Sequence, residues 1–430
     1  MRIASTALSL AALALLATGC GGSSSTPAPA EGGGGSAGGG APLGGGKSLG
    51  KKMPEFTPSG IKEDFKKLKE AKEAVKASKA KEEQEAAKTA LEALKTELVT
   101  KWSGREVPAP EAHYYANILN DAGKFAEAVV ECRRWLEVAP DDNLNYTSTT
   151  TLLINCLAAS GDYDGAQAEL KATSETVYKN KEQARADVLT TIAMNQMKHK
   201  KLEMAFENFE TCMTTNMGDM ESAIYAVEIA QRLGKPAEAV RIGQKAADFV
   251  KEGRQAERAK HLHQGTQLLG KAAPGFAAAK WWKGVGGPVT ADMMKNRVTV
   301  VFSWNMKSAW NKFFFDRMHA LLKDTADKGV QLVGISRLAR FDALKMGTRK
   351  DMTDDEELAF YDMWKDQYGV TYPFAVDGYE SEELINAWAA HTVPFIVIVG
   401  KDGNVFAVMS GKDEERIASV RELVDMAIAK

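Results

Sequence analysis

The chain has 430 residues and carries 55 lysine and arginine residues against 57 aspartate and glutamate residues. This balance lacks the basic excess that binds a phosphate backbone, so the composition argues against a nucleic acid as partner. Only four cysteines are present, and neither a Cys-x-x-Cys nor a His-Glu-x-x-His pattern occurs. We therefore predict no metal centre and no cofactor site.

Residues 1–19 have the pattern of an export signal. A basic start, Met1-Arg2, precedes an apolar run over residues 3–17 that is too short to count as a membrane-spanning helix. Leu16-Ala-Thr-Gly-Cys20 resembles the bacterial lipobox, which is cleaved before a cysteine that is then lipidated. The resemblance implies a lipid on Cys20, and Gly21 after it implies the outer membrane, facing the periplasm. An ordinary cleaved signal with a secreted product is the alternative.

Residues 20–50 continue from this cysteine into a stretch of glycine, serine, alanine and proline. A segment of this composition buries almost no surface, so it is predicted to be a flexible tether. At about 5–6 Å times the square root of its length, the tether would hold the folded part roughly 30 Å from its anchor on average. We therefore expect the folded part to meet its partners close to a membrane surface.

Residues 51–110 are predicted to be a charged amphipathic helical segment, rich in lysine, glutamate and alanine. The apolar residues that recur at helical spacing are Ile61, Phe65, Leu68, Val75, Leu91, Leu94 and Leu98. The opposite face is strongly charged, which indicates solvation and pairing along the helix surface.

Residues 111–270 contain a pattern that recurs four times, with alanines that step by 38, 39 and 34 residues at Ala128, Ala166, Ala205 and Ala239. Five residues before each alanine stands a glycine or, in the third copy, a lysine: Gly123, Gly161, Lys200 and Gly234. The pattern resembles the tetratricopeptide repeat, whose glycine closes the turn between two helices and whose small residue lets them approach closely. The resemblance implies stacked helical hairpins with a concave surface that recognises peptides.

Three cysteines, Cys132, Cys156 and Cys212, lie in these repeats. Two interpretations are open for Cys132 and Cys156, because the helices that carry them are expected to pack together. An oxidising envelope would permit a disulfide between them. Alternatively, all three are small buried hydrophobes, which is the commoner role of a free cysteine and the interpretation that we prefer.

Residues 271–430 carry a series of motifs in a fixed order. Pro274-Gly-Phe276 precedes two apolar strand patterns at 298–304 and 330–335, a Tyr-Gly-Val-x-Tyr-Pro segment starts at Tyr368, and Thr392-Val-Pro leads into the apolar run 395–399 and the turn Asp402-Gly403. Together these motifs resemble the periplasmic TlpA type of the thioredoxin-like superfamily, which is related to the AhpC/TSA proteins. The resemblance implies an α/β thioredoxin-like domain.

The turn that holds two active-site cysteines in this family holds serine and asparagine here, at Ser308 and Asn311. Disulfide exchange needs a thiolate nucleophile and a resolving thiol, so the domain is expected to be redox-inactive. Ser308 is predicted to cap a helix that starts near Ala309. The alternative is a serine nucleophile with His391 as its base, but no Gly-x-Ser-x-Gly turn surrounds it.

Pro394 stands where the family has a cis-proline that faces this turn, and the residue before it pairs with an extended peptide in relatives. The resemblance implies a peptide-binding groove formed by Trp304, Ser308, Trp310, Asn311, Val393 and Pro394. Trp281 and Trp282 are candidates for its edge. Trp304 has a second interpretation as an ordinary core residue.

An acidic stretch over residues 351–357 lacks the alternating ligands and the glycine of a calcium loop. Within it, Thr353 and Glu356 fit a capping box, which predicts the start of a helix.

The sequence therefore predicts a multidomain chain, an all-α helical-hairpin repeat array followed by an α/β thioredoxin-like domain. The predicted function is a lipid-anchored scaffold of the cell envelope that binds proteins or extended peptides. Two alternatives remain. One is a thiol-disulfide or antioxidant-type oxidoreductase of envelope redox homeostasis, and the other is an inert spacer domain with all binding in the repeats.

Overall fold

The computed structural model describes residues 52–430 except 79, 142, 216–218, 278, 283–286, 306–307, 309–310, 343–346, 350 and 412–413. The predicted signal, lipidated Cys20 and tether lie outside these residues. Contacts divide the chain into two compact units, Met1–Lys200 and Lys201–Lys430. In the described ranges, no helix has the length and apolar character needed to cross a membrane.

The first unit is helical. Its helices are α1 (Ile61–Ala77), α2 (Lys81–Trp102), α3 (Ala112–Asp121), α4 (Phe125–Val138), α5 (Tyr146–Ser160), α6 (Tyr163–Thr173) and α7 (Glu182–Lys198). The predicted charged segment is thus a hairpin of two helices, α1 and α2. The indole N–H of Trp102 donates to the buried Asp64 carboxylate at 3.0 Å, which ties the end of α2 to the first turn of α1.

The second unit starts with four helices: α8 (Leu202–Thr215), α9 (Met220–Arg232), α10 (Pro236–Phe249) and α11 (Gly253–Thr266). Three of the helical hairpins that the repeat pattern predicts lie within one unit each: α3–α4, α5–α6 and α9–α10. All four predicted contact alanines are 0% exposed. Small side chains at these points let neighbouring helices approach closely.

The turn position of each hairpin has a left-handed backbone. The φ angles are 74° at Gly123, 91° at Gly161, 57° at Lys200 and 68° at Gly234. Glycine adopts this conformation without a steric penalty, whereas lysine does so at a cost of about 1–2 kcal/mol. Lys200 therefore keeps the turn geometry of the other copies despite its side chain.

The rest of the second unit is built on a six-stranded sheet. Its elements are β1 (Lys280–Trp281), β2 (Thr299–Ser303), α12 (Asn311–Asp324), β3 (Gln331–Arg337), a two-residue pair β4 (Phe341–Asp342) and β5 (Gly347–Thr348), α13 (Asp354–Tyr368), β6 (Phe374–Asp377), α14 (Glu383–Ala387), β7 (Phe395–Val399), β8 (Val405–Ser410) and α15 (Glu414–Ala429). Thr353 and Glu356 form the predicted capping box of α13.

The sheet has the order β1-β6-β3-β2-β7-β8. Strand β2 runs parallel to β3 and antiparallel to β7, and β7 runs antiparallel to β8. A βαβ unit, β2-α12-β3, is thus joined through one sheet to a ββα unit, β7-β8-α15. This is the predicted α/β thioredoxin-like fold.

The sheet is covered on both faces, which explains why its central strands are continuous apolar runs. Val300 and Phe302 of β2 face a core that includes residues of α12, α13 and α15. Val301 faces a second core that includes Trp388 and Val397. Successive side chains of β2 therefore point alternately into these two apolar cores, so both faces of the strand are shielded from solvent up to its end.

The outer edge of β8 is covered by α9 and by residues 270–271, at the predicted domain start. Gln231 on α9 donates its amide N–H to the Val408 carbonyl at 2.9 Å and accepts the Val408 N–H at 2.7 Å. The Gly270 N–H donates to the Val405 carbonyl at 2.9 Å, and the Val405 N–H donates to the Lys271 carbonyl at 2.8 Å. An edge strand with unpaired groups invites pairing with other chains, and these contacts close it.

Ion pairs join α9 to α15. Arg416 pairs with Glu221 at 2.8 Å and lies 4.2 Å from the Tyr225 ring centroid. Arg232 pairs with Glu422 at 2.8 Å. Burial opposes ionisation of Glu221, but the neighbouring arginines outweigh it and lower the pKa of this carboxyl. Helix α9, strand β8 and helix α15 therefore share one charged and hydrogen-bonded interface within the second unit.

Candidate functional site

The site lies at the edge of the sheet where β2 ends and β7 begins. Because the two strands are antiparallel, with Ser303 opposite Phe395, the turn after β2 and the loop before β7 meet at this edge. The Ser303 hydroxyl donates to the Thr392 carbonyl at 2.7 Å and accepts the Phe395 N–H at 2.9 Å. One buried serine thus fastens the loop to the end of β2.

The two positions that hold sulfur in the resembled family hold side chains without redox chemistry. Asn311 is 4% exposed, and its amide N–H donates to the Asn305 carbonyl at 2.7 Å. The Ser308 N–H donates to the same carbonyl at 3.0 Å, and the Asn311 N–H donates to the Ser308 carbonyl at 3.2 Å. Asn311 therefore braces the turn with a neutral hydrogen bond.

Helix α12 is described from Asn311 onward, and residues 309–310, where the helix is predicted to start, lie outside the described residues. The Ser308 carbonyl accepts a hydrogen bond from the first described residue of the helix, and Ser308 itself lies in the turn that leads into it. Trp310, which we predicted to line the groove, lies outside the described residues.

The loop before β7 presents the predicted peptide-pairing position. The Val393–Pro394 peptide bond is cis. Val393 is 42% exposed. Its neighbours are more buried: residues 390–392 before it are partly or fully buried, and the strand after it is buried. Within the described part of the chain, no group hydrogen-bonds to the Val393 backbone N–H or carbonyl. An apolar side chain and a free backbone edge are therefore open together at this point.

The tryptophans predicted near the groove lie mainly in the core. Trp304 is 2% exposed, and its ring contacts those of Phe315 and Tyr361. Trp304 is therefore a core residue, the second of its two interpretations, and its ring is not part of the groove surface. Trp282 is buried and donates its indole N–H to Asp362 at 3.0 Å. Trp281 is partly exposed and packs edge-on against Phe276.

Helix α11 contributes a contact to this site that the sequence analysis did not anticipate. The His261 ring stacks on the His391 ring with centroids 4.4 Å apart and an interplanar angle of 14°. One turn later, Gly265 lies so close to Phe395 that an added Cβ would sit 2.8 Å from the ring. His391 and Phe395 lie on either side of Val393 and Pro394 in the chain. Helix α11 therefore supports the loop on both sides of these two residues.

The three repeat cysteines are buried thiols. Burial raises the pKa of the Cys156 thiol to about 12, and it raises the pKa of the Cys132 thiol further. A thiol that does not ionise near neutral pH is neither a nucleophile nor a metal ligand. In this structure the three cysteines are therefore buried packing residues, and Cys132 and Cys156 do not form a disulfide.

In the residues that the structure describes, no cluster of three or more histidine, cysteine, aspartate or glutamate side chains could hold a metal ion. The chemistry open to the site consists of hydrogen bonding through the Val393 backbone and apolar contact through its side chain.

No family model matches the chain, and no curated protein matches it. Its fold is similar to solved structures over somewhat more than a third of its length. A protein assigned as thiol:disulfide interchange protein DsbE from Chlorobium tepidum is 15% identical with a TM-score of 0.29, and the match covers 37% of this chain and 99% of that chain. A second thiol:disulfide interchange protein of the thioredoxin family, from Chlorobium tepidum TLS, is 19% identical with a TM-score of 0.27, covering 37% and 97%. The thioredoxin domain of a thiol-disulfide oxidoreductase from Bacteroides vulgatus is 15% identical with a TM-score of 0.27, covering 36% and 97%.

Proposed function

We propose that this protein is a lipid-anchored component of the bacterial cell envelope that binds extended segments of other proteins without redox chemistry. The observation that carries the proposal is the exposed Val393, whose backbone is free beside a turn that holds Ser308 and Asn311 in place of cysteines. The anchor is the lipid on Cys20, and the periplasmic face of the outer membrane is the proposed location.

The binding mode follows from the groups that are open. An extended peptide that runs past Val393 would accept its N–H and donate to its carbonyl, as in the addition of a strand to a sheet edge. Full burial of an exposed valine side chain supplies about 1.5–3 kcal/mol, and Val393, which is 42% exposed, would supply a correspondingly smaller part of it to such a contact. Because backbone groups dominate this contact, the domain would accept many sequences. The helical repeats, which we propose to be of the tetratricopeptide type, would supply a second recognition surface.

The oxidoreductase alternative lacks a nucleophile in the described site. Asn311 is fixed in a hydrogen bond at the position of the resolving thiol, and Cys132, Cys156 and Cys212 are buried, the first two with raised pKa values. A binding role needs only the exposed side chain of Val393 and its free backbone groups.

The proposal predicts that an acidic residue at position 393 weakens binding of unfolded chains. A suitable probe is fluorescently labelled, reduced and carboxymethylated α-lactalbumin, which is unfolded and has no thiol. We expect Val393→Asp to raise its Kd about tenfold, since the substitution loses apolar burial and places a charge at the contact. Fluorescence anisotropy measures the change.

The matched control is Val130→Asp on α4, where the valine is 56% exposed. It introduces the same charge on the surface of the first unit and should leave the Kd unchanged. Equal affinity of the Val393→Asp variant and the unmodified protein would contradict the proposal. If Val130→Asp alone weakened binding, the repeats would hold the peptide and the spacer alternative would be supported.

A further inference from the structure

The stacked histidines join two elements that are distant in sequence. His261 lies on α11, and His391 lies two residues before Val393 in the loop that leads to β7. Both rings are partly buried, and the Nε2 atom of His391 is enclosed without a hydrogen-bond partner in the described part of the chain. The two rings therefore pack face to face in a place from which solvent is partly excluded.

Few charged groups face this pair. On α11, Glu257 lies 3.8 Å from His261 Nε2, and Lys260 is the adjacent cation. From the segment before α14, Glu382 faces His391, but Glu382 is already paired with Arg337 of β3. The two carboxylates therefore offset only part of the effect of burial and of Lys260.

The balance favours neutral rings. Burial, with the opposing ring and Lys260, lowers the pKa of His261 below its usual range. Burial is also the main cause that lowers the pKa of His391. A histidine whose pKa is lower in the packed state than in the open state destabilises the packed state as pH falls through about 6.5, the value of a free imidazole. Double protonation would also place two cations at the stacking distance.

We infer that His261 and His391 form a pH-dependent latch, which holds the Val393 loop against α11 at neutral pH and releases it in acid. The second contact of the loop with α11, Phe395 against Gly265, is apolar and does not titrate. Acid therefore frees His391 and the residues before it from α11, while Thr392 stays bonded to Ser303 and the β7 side stays packed. Regulation of peptide binding by this latch rests on the function proposed above, whereas the latch itself can be measured without a ligand.

Hydrogen–deuterium exchange of the full chain tests the latch directly. The comparison is between the unmodified protein and the His261→Phe/His391→Phe variant at the same pH, so that the intrinsic pH dependence of exchange cancels. Phenylalanine keeps a flat ring on each side but cannot take up a proton. We expect amides of residues 389–392 to exchange at similar rates in both proteins near about pH 7.5, and about tenfold faster in the unmodified protein near about pH 5.5.

A second variant keeps the test valid if the double substitution does not fold, as judged by circular dichroism. His261→Lys places a fixed cation against His391 and should speed exchange of the same segment already at neutral pH. His263→Gln, on the same helix, removes a histidine outside the stack and should behave as the unmodified protein. The latch would be overturned if the ratio of exchange rates between the unmodified protein and the phenylalanine variant did not change with pH, and if the His261→Lys variant exchanged as slowly as the unmodified protein at neutral pH.

The labelled carboxymethylated α-lactalbumin separates this inference from the proposed function. We expect its Kd to rise about tenfold from about pH 7.5 to 5.5 in the unmodified protein and to change little in the phenylalanine variant. Acid-dependent exchange without binding at either pH would support the latch and refute the peptide-binding function. Binding whose pH dependence is equal in both proteins, with equal exchange, would overturn the latch and leave the function standing.

Discussion

Replacing Gln231 by leucine is expected to destabilise the second unit by about 2–6 kcal/mol, because it leaves the buried N–H and carbonyl of Val408 without partners at a cost of about 1–3 kcal/mol each. Gln231 is 4% exposed, and its amide bonds both groups at 2.7–2.9 Å. Leucine has nearly the same volume as glutamine, so packing is largely kept and the loss isolates the hydrogen bonds. Urea denaturation followed by far-ultraviolet circular dichroism measures the change.

The matched control is Gln244→Leu on α10. Gln244 is exposed, and its amide bonds only the Asp248 carboxylate one turn away, at 3.0 Å. Its replacement should change the free energy of unfolding by less than about 0.5 kcal/mol, the usual range for a surface substitution. If both variants were equally stable, the amide of Gln231 would not be closing the edge of β8.

A fragment that starts at residue 271, the predicted domain boundary, is expected not to fold cooperatively. It would expose the outer edge of β8 and the Phe395 ring, and Arg416 would lose Glu221 as its partner. These losses together are comparable with the whole stability of a domain, about 5–15 kcal/mol. Open edge strands also pair with other chains, so we expect the fragment to aggregate.

A fragment of residues 201–430 is the control, and it should be monomeric in size-exclusion chromatography and unfold in a single transition. A monomeric fragment of residues 271–430 with a sharp urea transition would contradict the role of α9 and α11 as parts of the folded unit. Two separate transitions in the longer fragment would contradict it as well.

The sequence predicts the elements of the sheet because each central strand is a short, continuous apolar run with turn residues at its ends. The run at 395–399 is observed as β7 with the same bounds, and Asp402-Gly403 lies in the connection to β8. The repeat turns were also predictable, since glycine at three of the four positions marks the left-handed conformation. At Lys200 only the spacing from the other copies reveals the turn.

The support of the site by α9 and α11 could not be predicted from local patterns. Gln231 and Val408 are 177 residues apart, and a glutamine on a helix reads as a surface residue. One signal was present in α9, where buried residues fall on all sides of the helix, which is typical of a helix enclosed by other elements. The stack of His261 on His391 left no such signal, because a single histidine fits a surface, a core or a site equally well.

Within the site, only the family resemblance placed Pro394 at a cis-proline position, which agrees with the observed cis bond, and the sequence did not settle the position of Trp304. An aromatic residue that follows a buried strand can turn either into the core or onto the surface, and only the packing of Phe315 and Tyr361 around the ring decides between them.

If extended chains bind next to Ser308, where the turn cannot react with them, a thiol placed in this turn should react with them. In a Ser308→Cys variant, the introduced thiolate would attack a peptide that carries a pyridyl disulfide, forming a mixed disulfide and releasing pyridine-2-thione, whose absorbance is followed. Ser103→Cys provides an exposed thiol on the first unit as the control.

If the peptide binds beside Ser308 before it reacts, the rate at position 308 will level off as the peptide concentration rises, and an unlabelled carboxymethylated chain will compete. At position 103 the rate should stay proportional to concentration. A rate at position 308 that also rises in proportion to concentration, without competition, would contradict the account.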